Sequence, residues 1–272
     1  MLGALGLPAS SWRAARGDRC RLDVYAATRR EAERTRGLLR PLLGELGSGG
    51  PLSARIGELP AQDWAEGWKR FFHAERVSGR IVVRPSWERF KARPGDCVLE
   101  IDPGMSFGTG QHATTRGCLR LLDALAAGGP PRSLLDAGSG SGILAVAAVK
   151  LGCVRVSACD IDPEAVAIAG QNARRNRVAD RIRFFIGDVR RLRPPPKYDA
   201  IVANLLAPLL VECAGRLAKM LSRRASSRLI ASGILRAQYA GVQRALARQG
   251  LREERRIALG NWTSGCFAWE HR

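Results

Sequence analysis

Between Ser133 and Glu270, short apolar runs alternate with longer stretches whose apolar residues recur at helical spacing. This pattern predicts strands over 133–137, 154–160, 182–187, 200–203 and 228–232, with helices over 143–151, 163–176, 208–221 and 238–249. Two further β segments, 252–259 and 266–270, are joined by Gly260-Asn261-Trp262 and read as an antiparallel hairpin at a sheet edge. Strands alternating with amphipathic helices imply an α/β fold, a mostly parallel sheet covered on both faces.

Upstream the texture differs. Residues 19–30 open with strand alternation, 31–46 have helical spacing, and Gly47-Ser48-Gly49-Gly50-Pro51 is a loop by composition. Residues 63–72 read as a helix carrying Trp64, Trp68, Phe71 and Phe72 on one side. Short strands are expected at 81–83 and 98–101, and a glycine-rich loop from Pro103 leads into a helix over 114–125.

The candidate chemistry lies at the carboxyl ends of the predicted strands, where open α/β sheets bind ligands. Leu134-Leu135-Asp136-Ala137-Gly138-Ser139-Gly140-Ser141-Gly142 places a buried strand directly before a glycine turn and a helix. Ile143 stands where the last glycine of a dinucleotide fingerprint would be, so the G-x-G-x-G spacing suits a nucleoside joined to an amino acid better than a pyrophosphate. Asp160 ends the next strand and is placed to accept hydrogen bonds from ribose hydroxyls. Asp162, followed by Pro163, reads as a helix cap. Asp188 falls where adenine contacts would lie, with an ordinary loop carboxylate as the plainer reading. Asn204 ends the fourth strand, where its amide oxygen can face a substrate amine or its side chain can close a turn.

Composition changes the picture in two places. The formal net charge is +19, and of the 44 basic residues only Lys69, Lys91, Lys150, Lys197 and Lys219 are lysine. A polyanion such as ribosomal RNA would be attracted to such a surface. Codon bias accounts for arginine over lysine but not for the excess over acids, and composition leaves both readings open. The seven cysteines include no C-x-x-C pair and mostly fall in apolar segments; His73, His112 and His271 are far apart, so no metal site is expected. No apolar run approaches a membrane span, and the start has no basic leader, so the expected location is the cytoplasm.

The stretch Asp102-Pro103-Gly104-Met105-Ser106-Phe107-Gly108-Thr109-Gly110-Gln111-His112-Ala113-Thr114-Thr115 is the most specific in the chain. Together with the glycine turn, Asp160-Ile161-Asp162-Pro163 and Ala203-Asn204-Leu205-Leu206-Ala207, it closely resembles the ribosomal protein L11 methyltransferase family. Asp63-Trp64 to Trp68 and Arg84-Pro85-Ser86-Trp87 also resemble that family's linker region. The resemblance runs from about residue 60 to the end, and residues 1 to about 55 match only in outline.

This resemblance implies a Rossmann-like class I methyltransferase sheet of seven strands, with a small N-terminal α/β domain. The expected organisation is a substrate-recognition domain at 1–58, a linker helix and strand region at 59–95, and a catalytic domain at 96–272. It implies S-adenosyl-L-methionine as cofactor, held by Thr115, Gly138, Gly140, Asp160, Asn204, Gly110 and Asp188, with Asn204, Phe107 and Thr109 serving catalysis. The loop around Phe107–Gly110 would close over the cofactor, and His112 would fix that loop rather than act as a base. The implied reaction is in-line methyl transfer to lysine side-chain and/or N-terminal amines of ribosomal protein L11, by a monomer. The alternatives are methylation of another protein's lysine and an RNA-associated methyltransferase-like binding module.

Overall fold

All five residues of strand Ser133–Ala137 (β6) are shielded from solvent. It lies near the middle of a seven-stranded sheet in the order β11-β12-β10-β9-β6-β7-β8. The flanking strands are Arg155–Asp160 (β7), Ile182–Ile186 (β8), Ala200–Asn204 (β9), Arg228–Leu235 (β10), Leu251–Leu259 (β11) and Trp262–Trp269 (β12). Strands β8, β7, β6, β9 and β10 are parallel, and β12 runs antiparallel to both β10 and β11. The order reverses between β6 and β9, which makes the carboxyl ends of these two strands the natural ligand crevice.

The computed structural model describes residues 73–102, 110, 112–193 and 197–270, with 10–14, 20–24, 30, 32–33, 35–37 and 56 from the N-terminal part. Chain contacts divide the protein into units Met1–Arg70 and Phe71–Arg272. In the first, Ser10–Ala14 (β1) pairs antiparallel with Cys20–Val24 (β2) in the register Ser10↔Val24 to Ala14↔Cys20. The strand expected from residue 19 is β2, whereas its partner β1 carried no recognised alternation. Residues 32–33 and 35–37 are helical, as expected for the start of the 31–46 segment, and the helix expected over 63–72 lies outside the described residues.

In the larger unit, Glu75–Arg76 (β3), Ile81–Arg84 (β4) and Cys97–Glu100 (β5) form a separate three-stranded sheet. Val77, Ile81, Val83, Leu99 and Ile101 share one apolar core with helices Ala113–Ala127 (α1) and Ile143–Lys150 (α2) and one face of the main sheet. This extra layer explains why α2, Ile-Leu-Ala-Val-Ala-Ala-Val-Lys, is apolar all round: every residue before Lys150 is buried. Helix Pro163–Arg175 (α3) follows on the chain with an amphipathic pattern. On the opposite face, Ala207–Met220 (α4) and Tyr239–Ala247 (α5) cover a second core built around Leu135, Ile201, Leu229 and Phe267.

Most expected boundaries shift by only one or two residues, and two move further. Strand β10 runs on to Leu235 rather than stopping at Ser232, because a bulge between Ala231 and Ile234 lets pairing resume after the break. Strand β12 starts at Trp262 rather than Cys266: the connection is a tight Gly260-Asn261 turn, with Gly260 at φ 57°. Thr263 and Ser264 hid the strand by being polar, yet both are buried. Cys97, Cys118, Cys153, Cys159, Cys213 and Cys266 are free and buried. Burial pushes the Cys118 and Cys159 thiols up to about 12, which keeps them unreactive fillers of the core.

Candidate functional site

The glycine turn folds as a cradle at the carboxyl end of β6. Gly138, Gly140 and Gly142 have φ of 80°, 49° and 77°, a left-handed backbone that side chains resist. A Cβ on Gly138 would run into the Leu205 side chain, and one on Gly142 would come within 2.8 Å of Ala169 Cβ. The turn is tied to the neighbouring strand by Gly138 N–H and Ser139 N–H, which donate to the Cys159 carbonyl at 2.9 and 2.8 Å. From behind, Asn172 Nδ2 donates to the Ser141 carbonyl at 2.9 Å. That support was not visible in the sequence, where Asn172 is only one polar residue on a helix.

Asp160 and the turn meet directly: Asp160 Oδ2 accepts from Gly140 N–H at 2.8 Å, and Oδ1 accepts from Asp162 N–H at 3.1 Å. The carboxylate is thus oriented by two backbone donors while remaining half-exposed, with lone pairs left over for hydroxyl donors. Asp162 caps α3 by accepting from Glu164 N–H at 2.9 Å, with Pro163 opening the helix as its spacing predicts. Asp188 is turned towards its own loop. Its carboxylate accepts from Arg190 N–H at 2.9 Å and pairs with the Arg190 guanidinium at 3.0 Å, which holds it below the usual carboxylate range.

Asn204 and Thr115 come together from distant parts of the chain. Asn204 Nδ2 reaches Thr115 Oγ1 at 3.5 Å, a long bond that leaves room for adjustment. Thr115 sits in the first turn of α1 and is buried. A serine network that the sequence reading missed holds this corner: Ser232 Oγ donates to the Thr114 carbonyl at 3.0 Å and lies 2.6 Å from Ser264 Oγ. His112 is the N-cap of α1, with Nδ1 2.8 Å from Thr114 Oγ1 and its ring edge-on to Trp262 at 5.0 Å. Burial lowers its pKa. Gly110, with φ 87°, is buried against Val83 and Ile143, where a Cβ would come within 2.9 Å of Val83 Cγ1. Phe107 and Thr109 lie outside the described residues.

Three buried polar atoms among the described residues have no hydrogen-bond partner: Asp136 Oδ1, Ser139 Oγ and Asn204 Oδ1. Orphaned buried oxygens are costly unless something pairs with them. All three belong to the carboxyl ends of β6 and β9 or to the turn between β6 and α2. Asp136 Oδ2 accepts from Ala145 N–H at 3.1 Å. Burial pushes the Asp136 carboxyl up to about 8, opposed by that bond and reinforced by the Asp160 charge. A left-handed cradle, an oriented ribose-type acceptor and orphaned oxygens fit a ligand with hydroxyl and ammonium donors, as S-adenosylmethionine has. A separate cleft of about 620 Å³ beside Arg76, Arg80, Arg120 and Asp123 shares no residue with this site.

The profile of the ribosomal protein L11 methyltransferase family (PrmA) matches residues 15–268. The match thus reaches into the N-terminal segment that resembled the family only in outline. Ribosomal protein L11 methyltransferase of Geobacter sulfurreducens is 43% identical over 202 residues, 74% of this chain and 64% of that protein. The Chloroflexus aurantiacus protein of that name is 40% identical over 238 residues, 79% of this chain and 71% of its own length. The aligned part therefore spans just under two thirds of the first of these relatives. Among solved structures, the ribosomal protein L11 methylase from Lactobacillus delbrueckii subsp. bulgaricus superposes with a TM-score of 0.67 at 30% identity, covering 74% of this chain and 100% of that one. By a family match that spans nearly the whole sequence, this chain belongs to the ribosomal protein L11 methyltransferase family.

Proposed function

We propose that this chain transfers methyl groups from S-adenosyl-L-methionine to lysine side-chain and/or N-terminal amines of ribosomal protein L11. The observation that carries the reading is Asn204 Oδ1, a buried acceptor with no partner at the carboxyl end of β9, beside the glycine cradle. Family membership supports the choice of L11, which is the substrate named for the curated relatives.

When bound, the cofactor supplies an electrophilic methyl carbon on a sulfonium. Gly138, Gly140 and Asp160 would hold it, with Thr115 and Gly110 completing its surroundings and Asp188 contributing from the end of β8. Asn204 would accept a hydrogen bond from the substrate amine and so orient it for attack. Most of the rate would come from such positioning of the reacting groups. The loop containing Phe107 and Thr109 would exclude water and face the substrate. The amine arrives having lost its proton to solvent, so no side chain has to act as general base.

Residues 1–58 would recognise L11, 59–95 would join the halves, and 96–272 would carry the chemistry. The protein would act as a cytoplasmic monomer. No helix among the described residues is long and apolar enough to cross a membrane.

The test is transfer of labelled methyl from S-adenosylmethionine to purified L11, followed by mapping of the labelled amines. Label on L11 amines is expected. Turnover on a different protein with L11 unlabelled would replace the substrate, and no transfer to any protein would remove the activity.

A further inference from the structure

We infer that the amino-end rim of the parallel sheet, opposite the cofactor cradle, is a docking surface for the phosphate backbone of RNA. The strands begin there with bases in register. Arg155 opens β7 and pairs across to Ser133, and its N–H donates to the Arg132 carbonyl at 2.9 Å. Arg181 directly precedes β8, whose Ile182 pairs with Val156. Lys197 leads into β9 and Arg228 opens β10 opposite Ala200. Beyond them the Arg223 guanidinium carbon sits over Trp269, 3.9 Å from the ring centre. At about 4.8 Å per strand the row from β8 to β12 extends roughly 24 Å.

Most of these charges are unspent. Arg132, Arg155, Arg181, Lys197 and Arg223 are exposed and form no salt bridge among the described residues. The Arg181 guanidinium donates to the Cys153 carbonyl at 2.9 Å. Arg224 and Arg228 are paired, with Asp199 and Glu254. Asp180, Glu254 and Glu270 are exposed acids at this end, and Glu254 is the partner of Arg228.

Favourable interaction with helix dipoles accounts for Lys150, Arg174, Arg175, Lys219 and Arg244, which occupy last helical turns. It does not account for bases that precede strands. The opposite ends of β7 and β8 are closed or followed by the carboxylates of Asp160 and Asp188, so the sheet is electrostatically polar along its strands. A polyanion is therefore drawn to the rim and away from the cradle.

RNA fits better than an acidic protein for two reasons. Four of the five unpaired bases are arginines, whose planar fork grips phosphate in two places and stacks on bases. The rim also offers little apolar anchorage for a protein: Val154, 59% exposed, is the large hydrophobic residue that stands out on it.

The test uses the full chain and a fluorescently labelled RNA hairpin, with anisotropy read from 50 to 200 mM KCl. Log affinity is expected to fall linearly with log salt. Replacing the five unpaired bases by glutamine (R132Q, R155Q, R181Q, K197Q, R223Q) should weaken binding at least about ten-fold and flatten the salt slope by roughly 3. The control R89Q, K91Q, R191Q, R236Q, R255Q removes the same charge elsewhere and should bind within about three-fold of the parent. Unchanged S-adenosylmethionine affinity verifies that the rim variant is folded, and R132Q, R155Q, K197Q serves in its place if it is not. Equal losses in the rim and control variants, no loss in the rim variant, or competition by polyglutamate as effective per charge as unlabelled RNA would each overturn the assignment.

Discussion

Asn204 and Asp136 each bury an oxygen with no partner inside the protein, but their consequences differ. We propose that a donor on the substrate amine matches Asn204 Oδ1. Asn204→Ala is therefore expected to lower methyl-transfer turnover on the order of 100-fold, with a much smaller change in cofactor affinity. Single-turnover rates beside calorimetric binding would separate the two, and unchanged turnover would refute the orienting part. Asp136, with its pKa raised to about 8, keeps a proton that the unfolded chain releases near pH 4. As pH rises from about 4 to about 8 the unfolded state loses that proton first, so this residue's contribution to stability declines over that window and levels off above it. Asp136→Asn cannot titrate and retains an acceptor for Ala145 N–H. Its melting temperature, without cofactor, should fall less between pH 5 and pH 8 than that of the parent. Parallel melting curves for the two proteins would contradict the raised pKa.

Among elements, the loop after β9 depends on a feature of β10. Gly233 sits at φ 83° in the bulge, and a Cβ there would collide with the Leu205 carbonyl, next in chain to Asn204. Gly233→Ala should cost about 1–3 kcal/mol and reduce turnover as well, since the strain falls on the backbone that carries Asn204. Denaturant unfolding with activity assays checks both, and a stable, fully active variant would show that the loop is set otherwise. The sequence disclosed elements whose period was strong or whose ends carried turn chemistry: β6 with its glycines, α3 with Asp162-Pro163, β7 with Asp160. It concealed those defined by pairing partners. β1 and β3 are short strands with weak alternation, and the first half of β12 is polar but buried. The same division holds at the site. Asp160 and Asn204 were legible from their places at strand ends, whereas Asn172, Ser232 and Ser264 support the site through contacts between segments far apart in sequence.

For the whole molecule, the proposed docking row and the cofactor cradle occupy opposite ends of one sheet. The cradle lies at the carboxyl ends of the strands, and Arg132, Arg155, Arg181, Lys197 and Arg223 lie at the amino ends, so a polyanion docked on that row would not crowd the cofactor. The N-terminal unit, Met1–Arg70, contributes none of the described residues of the cradle. Deleting it should leave cofactor affinity within a small factor while raising the KM for L11 well above that of the full chain, as steady-state kinetics with the truncated protein would reveal. An unchanged KM would move substrate recognition into the larger unit. We propose that the orphaned amide oxygen at the end of β9 serves amine methylation of L11. Radiolabel transfer from S-adenosylmethionine to L11 by the parent and by Asn204→Ala, with cofactor binding measured on the same samples, tests this role. Labelled L11 amines are expected with the parent and almost none with the variant while cofactor still binds; equal labelling by both proteins, or none by either, would contradict that role for Asn204.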